Sequence, residues 1–227
     1  MKILVVAAHP DDEVLGCGGT IRRLVKEKHD VRILILGEGI TSRYEKREKA
    51  DMALVGKLEE KSKKAAACLG VKNISFCKLP DNRFDTIPLL EIIKHIEKVV
   101  ETFKPEIVYT QHGGDLNIDH CITFRAVMTA LRPLKGSCVK ELYAYEVASS
   151  TEWAFQQFDP SFKANIFVDV SDTMKDKIKA IKVYESETRT FPHPRSQKAL
   201  ESIAARWGSV AGMEAAEAFQ LIFKLVR

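Results

Sequence analysis

The 227-residue chain has no Cys-x-x-Cys pair among its five cysteines, no long apolar run, and little excess of either charge, with 35 Lys+Arg against 31 Asp+Glu for a formal net charge of +4. The missing pair argues against a cysteine zinc knuckle and the odd count against a disulfide framework, so Cys17, Cys68, Cys77, Cys121 and Cys138 are expected to be free thiols, mostly buried. The longest N-terminal apolar segment, Ile3 to Ala8, stops at once in charged residues. It is too short for a signal sequence or a membrane span, which makes a cytoplasmic protein the expectation. The basic residues are scattered and offer no electrostatic footprint for nucleic acid or an anionic membrane. No repeat, low-complexity tract or Pro/Gly-rich linker divides the chain. Its length and its 45% hydrophobic and 29% charged residues suit one globular domain, 1–227, and are compatible with a homo-oligomer.

What is present is an alternation of short β-branched runs with longer helical patterns. Ile3 to Ala7, Val31 to Leu36, Ile74 to Leu79 and Ile107 to Thr110 read as buried strands. Helices are predicted from about Glu13 to Lys28, from about Arg43 to Leu69 with Gly70 as the stop, and from Pro88 to Phe103. Strands and helices in this order imply βαβ units, hence an α/β fold with a Rossmann-like, mostly parallel sheet and helices on both faces, over residues 1–133. Beyond Pro133 the pattern loosens into strands at Glu141 to Val147 and Ile166 to Val170 and helices near Ser171 to Ser186 and Ser196 to Val210. This part, 134–227, is expected to complete a pocket. Ligands on such sheets bind at the carboxyl ends of the strands.

Two segments put ligand-type groups there. His9-Pro10-Asp11-Asp12-Glu13 follows the first strand, and His9 and Asp12 can converge on one cation as a mixed N/O pair, which leaves Asp11 for proton work. The competing reading is that Asp11 or Asp12 caps the following helix. Gln111 to His120 follows the fourth strand and brings His120 as a third ligand, the number a catalytic zinc site uses while keeping a position open. Asp119 is placed to tune one of these groups or to cap the next helix. Gly16-Cys17-Gly18-Gly19 does not make a dinucleotide fingerprint, because Ile21 stands where the third glycine belongs; close helix packing explains it better. His29 and His95 read as ordinary surface residues.

Ala8 to Glu13 and Asn117-Ile118-Asp119-His120 resemble the two signatures of the LmbE-like, or PIG-L, zinc-dependent N-acetylglucosaminyl deacetylases, and His193-Pro194-Arg195-Ser196 and the Arg206 to Phe219 stretch resemble that family's C-terminal pattern. The resemblance implies that His9, Asp12 and His120 bind Zn2+ or another divalent metal and that Asp11 is the general base in removing an N-acetyl group from an amino sugar, which is nucleotide- or lipid-linked in some readings. The chain departs from the pattern at Asn117, where the family often has an oxyanion-stabilising histidine, and at Cys121, where it commonly has arginine. His112 is a candidate to replace the missing donor beside Asn117. Asp81, in Leu79 to Asp85, is implied as an acceptor for a sugar hydroxyl, although Pro80, Asp81 and Asn82 also favour a turn. Arg43 is a further substrate candidate if its loop folds over the site, whereas Arg47 reads as part of a solvated helix face. His193 and Arg195, on a proline-stiffened loop, are expected to form one wall of the pocket. Two other readings stay open: an amidase for another small amide such as a thiol-sugar conjugate, and a sugar-binding protein with weakened catalysis.

Overall fold

A computed structural model describes residues 1–226, so the last position of the expected 1–227 domain lies outside the described residues. Seven strands form one sheet in the order β3-β2-β1-β4-β5-β7-β6. Strands β1 (Lys2–Ala7), β2 (Asp30–Gly37), β3 (Asn73–Leu79), β4 (Ile107–Gln111) and β5 (Glu141–Tyr145) are parallel to one another. Strand β7 (Ala216–Lys224) runs antiparallel to both β5 and β6 (Ile166–Asp169). The alternating pleat of β1 shows why three layers form: Ile3, Val5 and Ala7 enter one hydrophobic core, and Leu4, Val6 and Ala8 enter the other. The first core is closed by α1 (Asp12–Lys26), α2 (Met52–Leu69), α5 (Met174–Val183) and Leu200 of α6 (Gln197–Ala211); the second is closed by α3 (Leu89–Phe103) and α4 (Ile118–Ala130). The Rossmann-like expectation holds, with an antiparallel strand added.

Two helix boundaries and one strand differ from the pattern. The helix expected from Arg43 starts at Met52, where Asp51 accepts a hydrogen bond from the Ala53 amide at 2.9 Å. Residues before it form short 3-10 turns at Thr41–Arg43 and Arg47–Lys49, because Arg47 is drawn into a two-pronged ion pair with buried Glu38 (2.7 and 2.9 Å) rather than onto a solvated helix face. The helix near Ser171 to Ser186 is shorter, and β7 was not expected. The cysteines are all free, but only Cys17 is fully buried; the other four are half-buried.

The glycines of α1 do serve close packing. A Cβ on Gly16 would lie 2.1 Å from the buried Tyr145 ring, and one on Gly19 would lie 2.8 Å from Val170. The helix is kinked at Cys17 (φ −140°, ψ 24°), and beyond the kink the carboxylate of Glu217 on β7 accepts from the amides of Gly19 (2.9 Å) and Thr20 (2.7 Å). Lys177 of α5 completes this buried knot, donating to Glu217 at 2.6 Å and to the Leu15 carbonyl at 2.8 Å.

Candidate metal centre

Strands β1 and β4 are neighbours whose helical connections leave toward opposite faces of the sheet, so their carboxyl ends form the topological switch point where α/β sheets bind ligands. His9, Asp11 and Asp12 follow β1, and Asp115 to His120 follow β4. Asp11 occupies the N-cap position of α1 without capping it, which removes the competing helix-cap reading. Its backbone is left-handed (φ 108°, ψ −27°), an arrangement that costs on the order of 1–3 kcal/mol for a residue with a side chain. The surroundings hold it there: the Asp11 amide donates to Glu13 Oε2 at 3.1 Å, and the Tyr184 hydroxyl donates to Glu13 Oε1 at 2.7 Å. The cap of α4 is Asn117, not Asp119, since its Oδ1 accepts from the Asp119 amide at 2.9 Å.

Asp12 lies at the centre. Its Oδ2 accepts from the His9 amide (2.8 Å) and Gln111 Nε2 (2.9 Å) and is 3.4 Å from His9 Nδ1 and 3.2 Å from His120 Nε2. Its Oδ1 is buried with no hydrogen-bond partner. Each imidazole is backed by a second carboxylate: His9 Nε2 is 2.9 Å from Asp119 Oδ2, and His120 Nδ1 is 3.2 Å from Asp115 Oδ1. Asp119 and Asp115 are pinned in turn, by the Phe84 amide at 2.9 Å and the Thr151 hydroxyl at 2.6 Å. The remaining nitrogens, His9 Nδ1 and His120 Nε2, therefore face Asp12.

Electrostatically this cluster demands a cation. Burial alone would lower the His120 pKa, but Asp12 and Asp115 outweigh it and raise it to about 9. His9 is likewise raised against the effect of burial, by Asp119 and Asp12. Burial opposes ionisation of Asp12, yet His120 and His9 hold it well below the usual carboxylate range. Two nitrogens and an orphaned carboxylate oxygen, with their ligand atoms mutually within 4.8 Å and carboxylates behind the imidazoles, fit a divalent transition metal. A second grouping, His9, Asp81 and Asp119, is equally compact. There, however, Asp119 is satisfied by His9 and Phe84, and Asp81 Oδ2 accepts from both the amide (3.1 Å) and the hydroxyl (2.5 Å) of Ser42. The unmet valence belongs to Asp12.

A cavity of about 260 Å³ opens onto these groups and is also lined by Arg43, Asp81, Asn117, Glu187 and Arg195. Arg195 Nη1 donates to Asp11 Oδ2 at 2.8 Å, and its Nε donates to Ser149 Oγ at 2.7 Å. Burial pushes the Asp11 carboxyl well above its ordinary range while the guanidinium opposes that shift.

Two expected residues do not reach the cavity. His112 is buried and directs Nε2 at the Pro160 carbonyl, 2.6 Å away, with its ring against Phe124 and Phe162, and it does not line the cavity. His193 accepts from the Arg195 amide at 3.1 Å and packs edge-on against Trp153, so it shapes the loop rather than the wall. Asn117 does line the cavity, but its Nδ2 donates to Asn82 Oδ1 at 3.0 Å. Sequence reasoning gave no role to Asp115, Glu13 or Glu187. Glu13 was visible in the first motif, whereas nothing local to Asp115 or Glu187 announces their partners.

The sequence model of PIG-L, the GlcNAc-PI de-N-acetylase, matches residues 4–131. The diacetylchitobiose deacetylase of Thermococcus kodakarensis is 26% identical over 97% of this chain and 83% of its own length. The 1D-myo-inositol 2-acetamido-2-deoxy-alpha-D-glucopyranoside deacetylase of Mycobacterium sp. (strain JLS) is 26% identical over 89% of this chain and 79% of its own. Among solved structures, N,N'-diacetylchitobiose deacetylase from Pyrococcus horikoshii shares the fold with a TM-score of 0.78 at 22% identity, covering 97% of this chain and 83% of that one.

Proposed function

The chain belongs to the PIG-L family, and from that premise we propose that it is a metal-dependent hydrolase removing the N-acetyl group of an amino sugar, with Asp11 as the general base. The observation that carries this reading is the convergence of His9, Asp12 and His120 around an orphaned carboxylate oxygen, with Asp11 on the wall of the same cavity. His9, Asp12 and His120 would hold the metal. When bound, a divalent ion supplies Lewis-acid polarisation of the acyl carbonyl and lowers the pKa of water.

The chain's own residues do the rest. Arg195 fixes Asp11 Oδ2, which leaves Oδ1 to take the proton from the water that attacks the acyl carbon. The same oxygen returns that proton to the sugar nitrogen as the C–N bond breaks, releasing acetate and a free amine. The left-handed backbone of Asp11 turns the carboxylate away from the helix end, where it would otherwise be consumed as a cap. Asp81 and Asn82, steadied by Ser42, offer acceptors for ring hydroxyls. Residues 1–133 form the Rossmann-like core in this reading, and the later part completes the pocket through Ser149, Ser150, Glu187 and Arg195. The partner is a small N-acetylated sugar rather than nucleic acid, and among the described residues no helix is long and apolar enough to cross a membrane.

The test is metal analysis of the purified protein together with acetate release from N-acetylglucosamine and N,N'-diacetylchitobiose. Asp11→Asn should bind the metal normally and lose about 10²–10⁴-fold in rate. Full activity in that variant would remove the base assignment.

A further inference from the structure

Glu187 sits on the turn that follows α5, with its amide donating to the Tyr184 carbonyl at 2.8 Å and its side chain almost wholly buried. Both of its carboxylate oxygens accept from Arg43 Nη2, at 2.7 and 2.8 Å, and Oε2 is 3.7 Å from Arg195 Nη1. Arg195 in turn donates to Asp11. Among the described residues, Arg43 and Arg195 are the only arginines or lysines lining the cavity. Both guanidinium groups are thus already charge-paired with a carboxylate of the protein, Arg43 through Nη2 to Glu187 and Arg195 through Nη1 to Asp11.

Charge balance points the same way. Asp11, Asp12, Asp81 and Glu187 face the cavity against these two arginines, so with a divalent ion bound the lining is close to neutral and carries no excess positive charge to draw an anion. A phosphate or carboxylate on the sugar would arrive beside Asp81 and Asp11 with no side-chain cation that lacks a carboxylate partner to meet it, and like-charge contacts of this kind discriminate strongly between partners. Hydroxyl groups, by contrast, meet acceptors.

We infer that the cavity selects uncharged N-acetylhexosamines and their neutral glycosides over sugar phosphates and nucleotide-linked sugars, and that Glu187 sets this choice by holding Arg43 back. The inference rests on the deacetylase reading above for the N-acetyl group, but the charge selection is measurable apart from turnover. Binding of the deacetylated products, methyl β-glucosaminide and glucosamine 6-phosphate, to metal-loaded wild-type protein is compared by calorimetry, and kcat/KM is compared for the corresponding N-acetyl sugars. The uncharged sugar should be favoured by roughly tenfold or more. Glu187→Gln should narrow that gap by freeing Arg43, and adding Arg43→Ala should restore it. Equal or tighter binding of the phosphorylated sugar overturns the inference even if Glu187→Gln does not fold, as does an unchanged ratio in that variant. Failure to hydrolyse any N-acetyl sugar, with the binding preference intact, would instead sink the deacetylase reading alone.

Discussion

Arg195 Nη1 and Asp11 Oδ2 are 2.8 Å apart although 184 positions separate them in the chain. The contact ties the proposed base at the head of α1 to a loop that enters α6, and it sets the balance on the Asp11 carboxyl. Burial raises that pKa and the guanidinium opposes it. Arg195→Ala removes the opposing charge, so Asp11 stays protonated to higher pH and the acidic limb of the kcat/KM profile should move upward in pH. Arg195→Lys should move it less. An unmoved limb in Arg195→Ala would show that the limb belongs to another group.

The carboxylates behind the imidazoles make a separate prediction. Asp119→Asn and Asp115→Asn leave His9, Asp12 and His120 in place but weaken the hold on His9 Nε2 and His120 Nδ1. Competition with a chromophoric chelator should show metal affinity reduced by about 10–100-fold in each. Affinity equal to wild type would mean that these acids serve folding only.

Without metal, the same cluster should make stability depend on pH. The His120 pKa is about 9 in the folded protein against an ordinary 6.5, so protonation favours the folded state. That contribution is fully present below about pH 6.5 and is lost as pH rises through about 9. Thermal melts of chelated protein should therefore fall across this window. Melts with saturating zinc should not fall in parallel, because metal replaces the proton and its affinity rises with pH. A gap between the two melts that shrinks with rising pH would contradict the proposed ligand set.

Glu217 offers a test of the scaffold. Glu217→Ala leaves buried Lys177 unpaired and strips the Gly19 and Thr20 amides of their acceptor, which should cost about 3–5 kcal/mol in urea unfolding. Pairing Glu217→Gln with Lys177→Met should recover part of the loss, since no lone charge then remains buried. A cost below 1 kcal/mol for Glu217→Ala would mean that water reaches the knot.

The first half of the fold was legible because buried parallel strands are continuous apolar runs and their helices are long. Strand-end placement was also enough to single out His9, Asp12 and His120. What escaped depended on partners distant in sequence. The Arg43 to Leu69 stretch has helical composition throughout, but the Glu38–Arg47 pair diverts its start. Strand β7 carries an alternation in Phe219, Leu221 and Phe223 that was available to read, yet it follows a helix in a region of loosened pattern. His112 and His193 are ligand-type residues on loops near the site, and packing against Phe124, Phe162 and Trp153, invisible in the sequence, places their rings outside the cavity lining. Glu187 is one of 31 acids until Arg43 and Arg195 are brought beside it.

The position of β7 bears on the order in which the protein can assemble during synthesis. Among the described residues, strand β6 has β7 as its only neighbour in the sheet, so it leaves the ribosome well before that partner is made. The same late strand brings Glu217 to the kink of α1, the helix that carries Asp12. The acids of the first motif are made well before β7, and the helix behind them is secured only when residues 216–224 have emerged. A nascent chain therefore holds its candidate metal-binding motif in an unfinished setting until β7 is made, and a metal ion offered at that stage would meet a site still free to rearrange.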